Sequence, residues 1–130
     1  MIYLDASALV TIVVERHHAT ELRRFLDEHA TAATCTSTIG FVETVRTCDR
    51  IGSYPNLMAR LLRDHGEIPL TSLVRDAATY VRSAVRSLDA IHVASAELLG
   101  SDLIALVTYD KRLAEAAQDV GLPVAMPGLD

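Results

Sequence analysis

Acidic side chains at three points of the sequence have the positions expected of metal ligands. Asp5 directly follows the apolar segment 1–4, and Asp110 follows the apolar run 103–107 by three residues. Asp89 heads a segment of small and apolar residues. Carboxylate oxygens are the hard ligands that Mg²⁺ prefers, and acids that converge from separate elements can hold a partly hydrated ion. If these side chains meet, they predict a cation site suited to hydrolysis by a metal-activated water.

Each acid also has a purely structural explanation. Asp5 and Asp110 could each cap the N-terminus of a following helix, and Asp89 could cap its own helix, because Asp is a favoured capping residue. Glu43 lies in the middle of a predicted helix, with Arg46 three residues later, which is the spacing of an ordinary solvated ion pair. Pattern alone therefore does not select Glu43 as a functional residue.

Hydroxyl side chains accompany two of the acids. Ser7 lies two residues after Asp5, and Thr108 lies two residues before Asp110. A hydroxyl in such a position can hold a carboxylate or a metal-bound water, although Ser and Thr also occur there as turn caps. His92 is interpreted as a hydrogen-bonded packing residue in preference to a catalytic one.

The elements that would position these side chains alternate between short apolar runs and longer helical runs, a pattern typical of a parallel α/β sheet. Strands are predicted at 1–4, 32–36, 68–70, 103–107 and 122–124. Helices are predicted at 7–15, 19–29, from 37 or 38 to 50, 56–65 with Asn56 as cap, from 71 or 72 to 85, from 87 or 89 to 100, and 110–120. Parallel sheets bind ligands beyond the carboxyl ends of their strands, where Asp5 and Asp110 fall. We expect one domain over residues 1–130.

Composition limits the classes of partner. The chain of 130 residues has a formal net charge of −5, whereas nucleic-acid binding usually leaves a basic footprint. Setting aside four acids that share one cation leaves −1 on the remainder, so an RNA partner remains allowed. Aromatic residues make up only 5% with no Trp, which argues against a base-stacking platform for single strands. A hydrophobic fraction of 50% indicates apolar surface covered by a second copy or a partner chain.

The apolar runs and cysteines indicate a compartment. No apolar run approaches the ~20 residues that cross a bilayer. Asp5 interrupts the first apolar segment, which argues against a signal peptide and favours the cytoplasm. Cys35 and Cys48 are too far apart for a C-x-x-C motif and are predicted to be packing thiols.

Four stretches of the chain resemble the PIN-domain family and, within it, the VapC-type toxins of bacterial toxin–antitoxin pairs. They read YLDASAL at 3–9, ETVR at 43–46, LDAIHVA at 88–94 and TYDKRLA at 108–114. In this order the stretches are specific, and the similarity extends over essentially the whole chain. The resemblance implies a PIN-like three-layer α/β fold, with a mainly parallel twisted sheet flanked by helices.

The resemblance also implies roles for individual residues. The acidic quartet would be Asp5, Glu43, Asp89 and Asp110, with Asp5 and Asp89 as leading ligands of Mg²⁺, for which Mn²⁺ can substitute. Glu43 and Asp110 would complete or position the site, partly through water, and Ser7 and Thr108 match the hydroxyl positions beside the acids.

Basic residues are less clearly assigned by the resemblance. Many relatives carry Lys where Thr11 stands here, which puts the RNA contact near that position in doubt but not the acids. Arg46, Arg50 and Arg112 are candidates for phosphate contact, weighed evenly against ordinary surface ion pairing.

The activity and partners implied by the resemblance are those of a toxin ribonuclease. It would cleave structured RNA at an exposed loop, frequently in tRNA or ribosomal RNA, by metal-assisted hydrolysis that leaves a 5′-phosphate and a 3′-hydroxyl, and so inhibit translation. It would be a homodimer, neutralised by a VapB-type antitoxin encoded nearby, and would contact operator DNA only through that antitoxin.

Three alternatives remain open at the level of sequence. A phosphotransferase of the haloacid-dehalogenase or receiver type also places an Asp after its first strand. Dehalogenase-like sites require D-x-D and receivers require paired acids at that point, where this chain has Asp5-Ala6-Ser7. Metal-free RNA cleavage would use His17, His18 or His92 as general acid and base. A non-catalytic module would only bind its partner and, with it, DNA as a repressor complex.

Overall fold

Five parallel strands form the single sheet of the computed structural model, which describes residues 1–129. The strands are β1 (Ile2–Leu4), β2 (Thr34–Ser37), β3 (Gly66–Ile68), β4 (Ala105–Val107) and β5 (Val124–Ala125). Their order across the sheet is β3-β2-β1-β4-β5, and each adjacent pair is parallel. The predicted α/β class is confirmed, with parallel pairing throughout the described sheet.

Seven α-helices and one 3₁₀ turn connect these strands in the described chain. The helices are α1 (Ala6–Val14), α2 (Ala19–Glu28), α3 (Thr38–Ile51), α4 (Leu57–Asp64), α5 (Ser72–Thr79), α6 (Ser87–Glu97) and α7 (Lys111–Asp119), and the 3₁₀ turn is Gly100–Asp102. No helix within residues 1–129 is long and apolar enough to span a membrane.

The helices cover both faces of the sheet because successive strand residues point to opposite sides. On one face, Ile2 and Leu4 pack in a buried cluster with residues of α1 to α4. On the other face, Tyr3 and Leu106 pack with residues of α6 and α7. The result is the expected three-layer arrangement. Cys35 lies in the second cluster, and its thiol is free, as predicted for a packing residue.

Several predicted boundaries are wrong. The helix expected to reach residue 85 ends at Thr79, because Tyr80 and Val81 donate to carbonyls three residues back and so tighten the last turn. The strand expected at 68–70 begins two residues earlier, at Gly66, where it pairs with β2. Asn56 precedes α4 with a positive φ of 60° and makes no capping hydrogen bond with its side chain.

The direction in which successive strands are added across the sheet reverses after β3. From β1 the chain steps outward through β2 to β3, and it then returns to the opposite side of β1 to form β4 and β5. In open α/β sheets such a switch point leaves a crevice at the carboxyl ends of the two central strands. Asp5 follows β1, and Thr108 follows β4, so both residues lie at this crevice.

Candidate active site

All four predicted acids line one cleft of about 220 Å³ at the switch point. Asp5 and Asp110 come from the ends of β1 and β4, Glu43 comes from α3, and Asp89 comes from the first turn of α6. The lining side chains within residues 1–129 also include Ser7, Arg16, Thr47 and His92. The sequence therefore predicted a set of acids that the fold brings to one place, although their individual roles remain predictions.

Asp5 is the most buried of the acids and is held by three donors. Only 4% of the residue is exposed. Its Oδ1 accepts hydrogen bonds from the Ala8 amide at 2.9 Å and the Ser7 hydroxyl at 2.7 Å, and Oδ2 accepts one from the Thr108 hydroxyl at 2.6 Å. Burial raises the pKa of Asp5, and the hydrogen bonds from Thr108 and Ser7 oppose that shift. Asp5 is both the N-cap of α1 and a wall of the cleft.

The two hydroxyls connect the acidic ends of β1 and β4. Besides serving Asp5, the Thr108 hydroxyl accepts a hydrogen bond from the Asp110 amide at 2.9 Å, and the Ser7 hydroxyl accepts one from the Tyr109 amide at 2.8 Å. Asp110 in turn caps α7, since its Oδ1 accepts from the Arg112 amide at 2.9 Å. Ser7 and Thr108 therefore fix the backbone of both loops, as an outer shell around a carboxylate would.

Glu43 is held by His92, which sequence alone did not indicate. Glu43 Oε1 lies 2.7 Å from His92 Nε2, and His92 Nδ1 lies 2.6 Å from the hydroxyl of Tyr3. His92 is 3% exposed and Tyr3 is fully buried. The prediction that His92 is a hydrogen-bonded packing residue is confirmed, and Glu43 pairs with His92 where sequence spacing had suggested Arg46.

The other acids of the cleft affect the pKa of Asp89. Burial raises its pKa, and the nearby Asp110 raises it further, with a smaller contribution from Glu43. His92 and Arg86 oppose the shift. Like charges raise one another's pKa values only at short range. All three carboxylates line the cleft, and a cation placed among them would relieve the repulsion at Asp89.

The donor set fits a hydrated Mg²⁺ ion. Four carboxylates line the cleft and supply hard oxygen ligands, which Mg²⁺ takes in preference to softer groups, and the Ser7 and Thr108 hydroxyls hold one of them, Asp5. Within residues 1–129 the side chains do not form a compact group of three or more Asp, Glu, His or Cys ligands. Mg²⁺ does not require such a group, because it usually keeps several waters and binds only one or two carboxylates directly.

The structure places the three candidate arginines at two different locations, and their contact with phosphate remains a prediction. The cleft lining includes Arg16, which the sequence had not singled out, but neither Arg46 nor Arg50, which are exposed on α3. Arg112 lines a neighbouring groove together with Arg82 and Arg86. Sequence position could not reveal this placement, because it depends on the loop between α5 and α6.

The histidines of the metal-free alternative are not arranged for catalysis. His17 and His18 line a separate depression beside Glu15 and Arg23. His92 does reach the cleft, but both of its ring nitrogens already have partners. A general acid and base must each reach the reacting atoms, so the structure favours carboxylate chemistry at this site.

The geometry agrees with comparisons to known proteins. Residues 2–119 match the family model of the PIN domain. The chain belongs to the PIN-domain family. Among curated relatives, Ribonuclease VapC47 of Mycobacterium tuberculosis (strain CDC 1551 / Oshkosh) is 41% identical over 133 residues, which cover 98% of each chain. The resemblance seen in four short stretches is thereby confirmed for the whole PIN domain and its VapC group.

Two solved structures share the fold of this PIN domain. A toxin–antitoxin complex from Klebsiella pneumoniae superimposes with a TM-score of 0.68 at 19% identity and covers 98% of each chain. A structure of FitAB bound to an IR36 DNA fragment gives a TM-score of 0.67 at 18% identity and covers 96% of this chain and 94% of that one. At such low identities, these two matches establish the fold alone.

Proposed function

We propose that this PIN-domain protein is a Mg²⁺-dependent endoribonuclease and the toxin of a toxin–antitoxin pair. The observation that carries the proposal is the convergence of Asp5, Glu43, Asp89 and Asp110 on one cleft at the switch point of the sheet. The ribonuclease name of the 41% identical relative, whose chain is matched almost from end to end, supports the same activity.

The proposed roles follow from how each acid is held. Asp5, fixed by three donors, and Asp89, whose pKa burial and neighbouring acids raise, would be the leading ligands. Glu43 and Asp110 would complete or position the site, in part through water. When bound, Mg²⁺ (or Mn²⁺) supplies the positive charge that activates water and offsets charge on the phosphate. Ser7 and Thr108 keep Asp5 oriented throughout.

The proposed partners follow from the same activity. The substrate would be a loop of structured RNA such as tRNA or ribosomal RNA in the cytoplasm, and its cleavage would inhibit translation. A VapB-type antitoxin would neutralise the protein and provide its contact with operator DNA. A homodimer would cover exposed apolar side chains such as Leu73 and Tyr80, which are 63% and 89% exposed on and after α5.

The proposal is tested by incubating the purified protein with total cellular RNA and sequencing the new ends. Mg²⁺-dependent cuts with 5′-phosphate ends are expected, and EDTA should abolish them. Asp5→Asn should remove cleavage, whereas Asp27→Asn, an exposed change on α2 that alters the charge equally, should not. Cutting that persists in EDTA and leaves 2′,3′-cyclic phosphates would contradict the metal mechanism.

The non-catalytic alternative is separated by binding and toxicity. If the protein acts only as a partner-bound repressor, Asp5→Asn should leave both antitoxin binding and growth inhibition unchanged. The enzymatic proposal requires that the variant still binds the antitoxin but no longer inhibits growth.

A further inference from the structure

A buried hydrogen-bond chain ends on one carboxylate of the cleft. It begins at the Tyr3 hydroxyl on β1, passes through the His92 ring on α6 and reaches Glu43 Oε1 on α3, with donor–acceptor distances of 2.6 and 2.7 Å. Tyr3 and His92 are buried, but the Glu43 side chain is 33% exposed and lines the cleft. The chain therefore links the protein interior to the site across three elements.

The direction of the protons in this chain is set by Glu43 and Tyr3. An ionised carboxylate can only accept, so His92 must carry hydrogen on Nε2 and donate it to Glu43. The phenol O–H of Tyr3 can donate to Nδ1, the other ring nitrogen of His92. Each partner thus fixes the tautomer and the ring orientation of His92.

We infer that Tyr3 and His92 are positioning residues that hold Glu43 ready for a metal ion. This inference rests on the proposed function, in which Glu43 completes the metal site. A Glu side chain on a helix surface samples many rotamers, and fixing one of them costs conformational entropy at the moment of binding. In the folded protein this entropy is already lost before a metal ion binds, because His92 holds one oxygen of Glu43 and Tyr3 in turn holds His92.

The test measures Mn²⁺ binding by calorimetry or electron paramagnetic resonance, together with cleavage rates over a range of metal concentrations. Tyr3→Phe removes one hydroxyl and keeps the ring. His92→Gln keeps an N–H donor for Glu43, whereas His92→Leu removes it. Ser95→Ala is the matched control, because it deletes another buried hydrogen bond of α6, to the Ile91 carbonyl at 2.7 Å, away from the cleft.

We expect metal affinity to fall about 10-fold to 100-fold in His92→Leu, the usual effect of losing an outer-shell partner, and by less in Tyr3→Phe and His92→Gln. Excess metal should restore cleavage with an unchanged KM for RNA, and Ser95→Ala should lose stability only. Equal metal affinity in wild type and His92→Leu would overturn the inference while leaving the proposed function intact. Failure of the wild type itself to bind Mn²⁺ would overturn both.

A second inference concerns an arginine-lined groove of about 190 Å³ that opens beside the cleft. Arg82 and Arg86 come from the segment between α5 and α6, and Arg112 comes from the first turn of α7. Asp89 lines both the groove and the acidic cleft, so the two depressions adjoin. Glu115 also lines the groove, and Arg82 is paired with Asp119 at 2.9 Å.

The geometry points to this groove as the binding site for the RNA backbone phosphates next to the scissile bond. Four carboxylates and Arg16 line the cleft, so its walls carry more negative than positive side chains, and further guanidinium groups nearby would draw the phosphodiester in. The planar guanidinium of Arg matches phosphate oxygens in a bidentate manner. This inference also rests on the proposed function, and it replaces Arg46 and Arg50 with Arg82 and Arg86 as the residues that bind RNA beside the site.

The test uses a fluorescently labelled RNA hairpin and the non-cleaving Asp5→Asn protein, so that binding is read without cleavage. Arg82→Gln, Arg86→Gln and Arg112→Gln are introduced into that background. Arg63→Gln on α4 serves as the control, because Arg63 is exposed beside Asp64 and lines neither depression.

Each groove substitution should weaken hairpin binding. It should also reduce the slope of log Kd against log salt concentration by about 0.7 for each phosphate that the protein no longer neutralises. Arg63→Gln should leave that slope unchanged. Equal slopes in all variants would overturn the inference, as would a triple variant that binds RNA normally but changes its self-association in sedimentation. Cleavage of RNA by the wild-type protein is measured in the same preparation, so that failure of this inference can be distinguished from failure of the proposed function.

Discussion

Asp5→Asn should stabilise the metal-free protein, or leave its stability unchanged, and at the same time remove its response to Mg²⁺. Asp5 is buried, and burial raises its pKa, so the ionised form costs folding free energy at neutral pH. Asn is as good an N-cap as Asp, so the bond from the Ala8 amide to Oδ1 can persist. The amide nitrogen must face the Thr108 hydroxyl, which then has to accept where it now donates.

The magnitudes give opposite signs with and without metal. Re-forming the Thr108 contact costs about 1 kcal/mol, the net value of one hydrogen bond, and removal of the buried charge offsets this cost. If Mg²⁺ binds as proposed, at 100 times its Kd it would add about 2.7 kcal/mol to the stability of the wild type. With an unfolding entropy of roughly 0.27 kcal/mol/K for 130 residues, that corresponds to a Tm increase of about 10 °C. The variant should gain close to none of it.

The assay is thermal unfolding of wild type, Asp5→Asn and Asp27→Asn, each with EDTA and with Mg²⁺. Asp27→Asn should follow the wild type in both conditions. If Asp5→Asn lowers Tm by many degrees in EDTA and still gains the full increase with Mg²⁺, Asp5 is a helix cap and no more, and the reasoning about a buried ligand is refuted.

Three further predictions follow from the site and its supports. The pKa values of Asp5 and Asp89 are raised above their ordinary 3.8, so the stability that these two groups contribute is full below that pH and is lost as the pH rises through their folded-state values. In urea titrations without metal, the free energy of unfolding should therefore fall over that range of pH. Mg²⁺ should offset the fall at neutral pH. Gly40→Ala should cost about 1–3 kcal/mol in urea unfolding, because its Cβ would lie 1.9 Å from Thr36 Oγ1, and Thr36→Ala in the same chain should recover part of that loss; an unchanged midpoint would contradict the packing described. Cys35, with a pKa raised to about 11 by burial, and the fully buried Cys48 should not react with DTNB at pH 8 until the protein is unfolded, when two thiols should appear.

The acids at the strand ends could be predicted from sequence, whereas Glu43 could not. Asp5 and Asp110 each follow an apolar run directly or within a short turn, and the physics of parallel sheets places such positions at one edge. Glu43 depends on His92, 49 residues away, and on the packing of α3 and α6 on opposite faces of the sheet. No local pattern encodes that meeting, so only the family resemblance indicated Glu43.

The capping role and the proposed metal role are compatible for Asp5 and Asp110, whereas the cap predicted at Asp89 is wrong, because Arg86 is the N-cap position of α6 and Asp89 lies in its first turn. Asp5 and Asp110 cap α1 and α7 through side-chain hydrogen bonds, as capping preferences predict, and both also line the cleft. The two roles do not compete, because a cap uses only part of the accepting capacity of a carboxylate. The arginine groove could not be predicted for another reason: α5 ends at Thr79, so Arg82 and Arg86 lie in or beside a loop that sequence periodicity had assigned to a helix.

The pairing of β1 with β4 has a consequence for how the protein is made. Asp5 receives the Thr108 hydroxyl across 103 positions of the sequence, and Asp110 lies beyond it. While the ribosome is still adding residues before 108, the first strand can already pair with the second, but one wall of the cleft does not yet exist. A growing or truncated chain of that length contains Asp5, Glu43 and Asp89 but lacks Asp110 and the Thr108 hydroxyl that holds Asp5. The complete site can therefore form only after most of the polypeptide has been made and has left the exit tunnel.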